Sequence, residues 1–232
     1  MVVASNEAGA AFLDREEAAH QLAEKLLHYR GIDAVVLAIP RGAVPMAKII
    51  ANSLGAMLDV VLVRKLRAPA QPELAIGAID ETGWTYIADY ASISGGTPEY
   101  LTAEREFQLN LLHKRRASYT GAKKPIAIDG CVVIVVDDGL ATGATMIAAL
   151  HSVRDRRPKK LICAVPVAAA PTLKKLTPLV DELICLHVPE TFYSVGGCYR
   201  YFPQIEDQDV IACLKASSLV MRNHSPSSTL PQ

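Results

Sequence analysis

Residues Val132 to Met146 read VVIVVDDGLATGATM: an apolar run, two adjacent acids, Asp137 and Asp138, then a turn of small residues and hydroxyls. Neighbouring carboxylates at the end of a buried strand repel each other and are costly to desolvate, so the placement calls for a partner. As acceptors they suit vicinal hydroxyls or the water shell of Mg2+. The turn behind them, Ala141-Thr142-Gly143-Ala144-Thr145, leads into a helix start, where backbone amides and the positive end of the helix dipole can receive an anion. Gly143 permits close approach of the backbone, and Thr142 and Thr145 add hydroxyl donors. No Gly-Lys-Ser/Thr follows the glycines, so this is not a Walker loop. A sugar phosphate satisfies both halves, with its diol on the acids and its phosphate in the turn.

Two more strand ends carry charge. Pro40-Arg41-Gly42 closes the apolar run Ala34 to Ile39, and Arg64-Lys65-Leu66-Arg67 closes Leu58 to Val63. In an open parallel sheet, ligands bind beyond the carboxyl ends of the strands, which would bring these cations to the same edge as the acids.

The elements that must position these groups follow from periodicity. Asp14-Arg15-Glu16-Glu17 is a helix start, an Asx cap with a glutamate three residues later; Ala18, Leu22, Leu26 and Tyr29 share one face and Gly31 ends the helix. A helix is expected from Val44 to Leu54. Residues Ala68 to Gly83 read as a loop with one short strand, a hairpin returning through Trp84 to Ala88. Thr97-Pro98-Glu99 begins a long helix to about Arg116, with Tyr100, Ala103, Phe107 and Leu111 at helical spacing. After the Cys131–Val136 strand come a helix from about Ala144 to Arg154, a strand at Leu161–Val167, a short helix near Pro171 and a last strand at Glu182–Val188. Strands without alternation, separated by helices, predict an α/β fold with an open, mostly parallel twisted sheet flanked by helices. Residues 12–188 form the expected core and 189–216 a small C-terminal hood with a helix. Residues 217–232, ending NHSPSSTLPQ, read as a disordered tail.

The chain has 232 residues, 50% hydrophobic, with zero formal net charge, so it can bury an ordinary core and lacks the basic excess of a dedicated nucleic-acid binder. Its five cysteines are scattered without a CxxC pair, which fits buried thiols in a reducing cytoplasm. No export signal or membrane-length apolar run is evident. No histidine stands out: His20 and His28 lie on a helix face, and His113 and His151 read as solvated.

The stretch Val133 to Thr145, with four apolar residues, two acids, a short variable stretch and Thr-Gly-x-Thr, resembles the phosphoribosyl-pyrophosphate (PRPP) motif of type I phosphoribosyltransferases. The resemblance covers roughly Phe12 to Cys213 and is closest to stand-alone phosphoribosyltransferases of undefined base specificity, through AIPRGAVPMA, LDVVLVRKLRAPAQPELAIGAI and PETFYSVGGCY. It implies Mg2+ as cofactor and transfer of the phosphoribosyl group from PRPP to a nitrogenous, purine-like base. Asp137 and Asp138 would bind the ribose hydroxyls and, through water, the metal. Ala141, Thr142, Gly143, Ala144 and Thr145 would hold the 5-phosphate. Arg41, Gly42, Lys65 and Arg67 would face pyrophosphate, and the residues from Ala68 to Ile79 would be a mobile loop. Phe192 and Tyr193 would stack on the base, although a small satellite core is an equal reading of that segment. Glu73 is a candidate for proton transfer. In one respect the pattern departs from 6-oxopurine enzymes, which carry an aspartate where this chain has Ala141. The loop is more similar to that of adenine phosphoribosyltransferases.

A different class of function is a PRPP- or nucleotide-binding regulator that binds RNA without turnover. Its support is the basic stretches His113 to Arg116, Lys123-Lys124 and Arg154 to Lys160. The Pro98–Arg116 helix could serve a homodimer interface or pack on the sheet.

Overall fold

In the computed structural model, residues 10–121 and 123–222 are described, with side chains to residue 217. Five strands form the main sheet: β1 (Ala34–Ala38), β2 (Met57–Val60), β6 (Val132–Val136), β7 (Lys160–Val167) and β8 (Glu182–His187), in the order β2-β1-β6-β7-β8 and all parallel. Side chains of β1 and β6 alternate between two buried clusters. Val36, Ala38, Ile134 and Val136 join α1 (Arg15–Leu26), α2 (Ala43–Leu54) and α6 (Asp207–Arg222) on one face. Val35, Leu37, Val133 and Val135 join α4 (Ala144–Asp155) and α5 (Ala170–Leu176) on the other. Two covered faces are why these strands read as unbroken apolar runs. From β1 the chain winds to β2 on one side, and from β6 to β7 and β8 on the other. The crevice beyond the ends of β1 and β6 is therefore the topological switch point.

Between β2 and β6 the chain builds a second, antiparallel sheet of β3 (Val63–Ala68), β4 (Gln71–Asp80) and β5 (Thr85–Ile87). Most of the segment expected as a mobile loop, Ala68 to Ile79, is thus a paired hairpin. The single strand expected over Leu58 to Val63 is split between β2 and β3. The hairpin base is tied down where Ser152 of α4 donates to buried Asp80, whose other oxygen accepts from Thr82 and Trp84.

Two further differences are instructive. Helix α3 (Pro98–Thr120) forms, but Phe107 is exposed and the buried face carries Gln108, Leu112, Arg116 and Tyr119. Apolar spacing pointed to the wrong face because two of these four buried positions, Gln108 and Arg116, are polar. Arg116 donates to Asp59 (2.6 Å), to the Val60 carbonyl and to Glu81, joining α3 to β2 and to the β4–β5 turn. Helix α6 continues past Ala216 to Arg222, since no proline or glycine interrupts Ser217 to Arg222; residues 223–232 of the expected tail lie outside the described residues.

Candidate active site

The β6 end and the β1 end lie side by side, with Ala38 opposite Val136 and the Ile39 amide donating to the Val136 carbonyl. This brings Arg41 and Gly42 next to Asp137 and Asp138. The Pro40–Arg41 peptide is cis. A Cβ on Gly42 would sit 1.9 Å from Asp138 Oδ2, so only glycine leaves room for that carboxylate. Arg41 reaches toward the start of α6, with Nη1 3.4 Å from Glu206 and 3.9 Å from Asp207.

Behind the acids, residues 139–146 and Val195 line a cavity of about 200 Å³ together with Asp137. Ala141, Thr142 and Thr145 are exposed at its rim, while Gly143 is buried. Gly143 caps α4 in a left-handed conformation, and a Cβ there would meet the Thr172 methyl at 2.5 Å. The glycine thus makes room for Thr172, whose hydroxyl donates to the Ala141 carbonyl and fixes the turn. First-turn amides of α4 have no partner within the helix and point toward the turn, as an anion site requires.

The two carboxylates differ. Asp138 is held by Arg15, whose Nε and Nη2 both donate to Oδ2 at 2.9 and 2.8 Å. Asp137 accepts the Asp138 amide on Oδ1 at 2.9 Å. Burial, and then the negative charge of Asp138, push the Asp137 carboxyl well above the ordinary carboxylate range; the Asp138 amide and Arg15 pull the other way. Arg15 also donates Nη1 to the Pro203 carbonyl at 2.7 Å, and its guanidinium lies 3.6 Å from the centre of the Phe202 ring. Tyr199 donates its hydroxyl to the Asp138 carbonyl at 2.6 Å. Sequence reasoning missed Arg15, Thr172, Tyr199 and Phe202. The helix-start signal around Arg15 was legible, its partner was not.

The remaining predicted residues lie elsewhere on the molecule. Lys65, Arg67 and Glu73 are exposed on the β3–β4 hairpin. No hydrogen bond or ion pair joins their side chains to the β6 end among the described residues. Arg64, beside them, turns to α3 and donates to Gln108. Phe192 is half-buried against the core, whereas Tyr193 is 90% exposed. His151 does not stand in solvent as expected; it is half-buried and stacks with Trp84 and Tyr86. Of the basic stretches, Arg116 is buried with two acids, Arg154 pairs with Asp181, Arg157 with Asp129 and Lys160 with Glu182. A larger cavity, about 500 Å³, lies by β2, the end of α3 and α6; it includes Lys123 and Lys124 of the basic stretches but none of the residues predicted to bind PRPP, pyrophosphate or base. Size favours that cavity, but the carboxylates and open amides are at the β6 end.

No group of three or more His, Cys, Asp or Glu side chains that could hold a metal occurs among the described residues. Two carboxylates, one already engaged by Arg15, are too few for an all-protein cage. They fit Mg2+ held largely by water and substrate oxygens.

The phosphoribosyl transferase domain family matches this chain over residues 9–203. The solved structure of TT1426 from Thermus thermophilus is 41% identical, with a TM-score of 0.78, and the match covers 88% of this chain and 97% of that one. Two proteins of Mycobacterium tuberculosis, named "Putative phosphoribosyl transferase Rv0571c" (strain H37Rv) and "Putative phosphoribosyl transferase MT0597" (strain CDC 1551), are each 40% identical over 206 residues. Those alignments cover 88% of this chain but 46% of the relatives, so the chain spans about half their length.

Proposed function

The chain belongs to the phosphoribosyl transferase family, and from that membership we propose that it transfers the 5-phosphoribosyl group of PRPP to a nitrogenous, purine-like base and releases pyrophosphate. One observation supports the reading: at the switch point of the sheet, two carboxylates run directly into the turn and helix start of α4, with Gly42 packed against Asp138. Asp137 and Asp138 take the ribose hydroxyls, and residues 141–145 take the 5-phosphate. Mg2+, held through water at the two acids, would neutralise pyrophosphate charge. A ring nitrogen of the base attacks the anomeric carbon as the bond to pyrophosphate breaks. The bonding pair leaves on pyrophosphate, and the base loses its N–H proton. Arg41 and the amides beside Gly42 receive the growing charge, joined by Lys65 and Arg67 when the hairpin folds inward. Such closure would also carry Glu73 toward the base. In the hood, Tyr193 is the better stacking surface, because Phe192 is already packed against the core.

Within the basic stretches, Arg116, Arg154, Arg157 and Lys160 are paired with acids of the same chain, which weakens the support for RNA binding. The five cysteines are all free, which fits action in a reducing cytoplasm. Among the described residues no helix is long and apolar enough to cross a membrane. The test is a panel of purine and pyrimidine bases with Mg2+ and PRPP, following pyrophosphate release. Base-dependent release is expected with a purine-like member. Inactivity with every base, in a protein that melts cooperatively, overturns the enzyme reading.

A further inference from the structure

Asp138 is fixed by groups from both ends of the chain. The Phe12 amide donates to the Cys198 carbonyl, and the Arg200 and Tyr201 amides donate to the carbonyls of Phe12 and Leu13, so the N-terminal segment and the hood form a short ladder. Directly after it, Asp14 caps α1 by accepting the Glu17 amide, and Glu17 accepts the Leu13 amide. This cap, with Glu17 reaching the amide just before Asp14, sets Arg15 at the first helical position, facing the β6 end. Phe12, Tyr199 and Phe202 stack in series, with ring centres 5.5 and 4.8 Å apart, and Phe202 covers the guanidinium.

We propose that Arg15 is the positioning residue for the sugar-binding carboxylate, holding Asp138 Oδ2 so that Oδ1 faces the ligand. The proposal rests on the donor-site reading above. Arg15 does not itself reach a ligand: it is buried, its Nε and Nη2 are engaged by Asp138, its Nη1 by the Pro203 carbonyl, and its face by Phe202. Both of its contacts to Asp138 fall on Oδ2, the oxygen against which Gly42 packs. A planar fork is needed to serve a carboxylate and a carbonyl while lying flat on a ring, and lysine cannot do all three. Arg15 therefore ties the hood, which carries Tyr193, to the sugar side of the site.

The experiment is calorimetric titration of Mg2+ and PRPP into the wild-type chain, Arg15→Lys, Arg15→Met, Asp138→Asn and the Arg15→Met/Asp138→Asn double variant, with melting curves for each. Arg15→Met should bind roughly 10- to 100-fold more weakly, the scale for losing an outer-shell partner. Arg15→Lys should recover part of that loss, and the double variant should bind no more weakly than Asp138→Asn alone. Where turnover is measurable, the Arg15 variants should raise KM for PRPP more than they lower kcat. Arg15→Lys keeps the charge and so preserves the test if Arg15→Met fails to fold. Wild-type affinity in both Arg15 variants, or losses that multiply in the double variant, overturns the positioning role while leaving the donor reading standing. A wild-type chain that does not bind Mg2+ and PRPP overturns the donor reading and this proposal with it.

Discussion

The β6 end and the β3–β4 hairpin carry the two halves of the predicted chemistry, and they are built in opposite ways. At the β6 end the acids, the turn and the helix start are contiguous, and the surroundings lock them: Gly42 against Asp138, Thr172 against Ala141, Arg15 and Tyr199 from the two chain ends. The hairpin is fixed at its base, through Asp80 with Ser152 and Glu81 with Arg116, while Lys65, Arg67 and Glu73 stand exposed. A site that must recognise a fixed sugar phosphate benefits from preorganisation. Groups that meet a leaving group only as the site closes are better carried on an arm.

The largest effect is expected from Asp138→Asn. It removes the proposed sugar acceptor and leaves the Arg15 guanidinium buried without its anion. Turnover should fall on the order of 100-fold or more, as for loss of one preorganised polar group. Stability in urea should fall by about 3–5 kcal/mol, the cost of breaking a buried pair. Preserved stability would mean that the β6 end is less rigidly built than the hairpin base, which reverses the comparison.

Arg116→Met tests the base of the arm. Asp59 and Glu81 would be left as buried acids, and unfolding should again cost about 3–5 kcal/mol less. Unlike Asp138→Asn, the folded fraction should bind Mg2+ and PRPP with unchanged affinity, measured below the new melting temperature. Weakened binding would show that the hairpin base shapes the sugar side.

Lys65→Ala probes the exposed part of the arm. Stability should stay within about 0.5 kcal/mol of wild type, since Lys65 is a surface side chain. The rate of pyrophosphate release should fall roughly tenfold, with PRPP affinity nearly unchanged, because the proposed role of this cation is to meet charge growing on the leaving group. An equal loss of affinity and rate would place Lys65 on the ground-state donor and make the arm part of the resting site.

The sequence revealed what was contiguous or periodic. The acids and turn at Asp137 to Thr145 lie on one stretch of chain, and the five core strands read as apolar runs because both faces are covered. The clasp was invisible because Arg15 lies 123 residues from Asp138 and 188 from Pro203, and an arginine in a helix's first turn ordinarily reads as solvated. The buried face of α3 was invisible for another reason. Gln108 and Arg116 count as polar in any periodicity, and only the acids of β2 and the β4–β5 turn make Arg116 interior. The hairpin was read as a loop because its prolines and glycine suggest turns, yet Pro69 sits in the tight connection between β3 and β4 and Gly77 lies within β4 itself.

Asp137→Asn separates the two acids most cleanly. The native state raises the Asp137 pKa, chiefly by burial and then by the Asp138 charge, so it holds that proton more tightly than the unfolded chain does. Its penalty is absent below about pH 4, the unfolded value, and grows as pH rises through the window up to the raised native value. Asparagine never ionises. The variant should therefore match wild type in urea unfolding at about pH 3 and be the more stable protein at about pH 8. Asp138→Asn should be less stable than wild type at that same pH, because its carboxylate is the one that answers Arg15. If both variants shift stability in the same direction, the acids are equivalent and the clasp does not distinguish them. If they shift in opposite directions, the chain keeps one acid at a cost to its own stability, as expected where a site is arranged for a ligand and not for the empty fold.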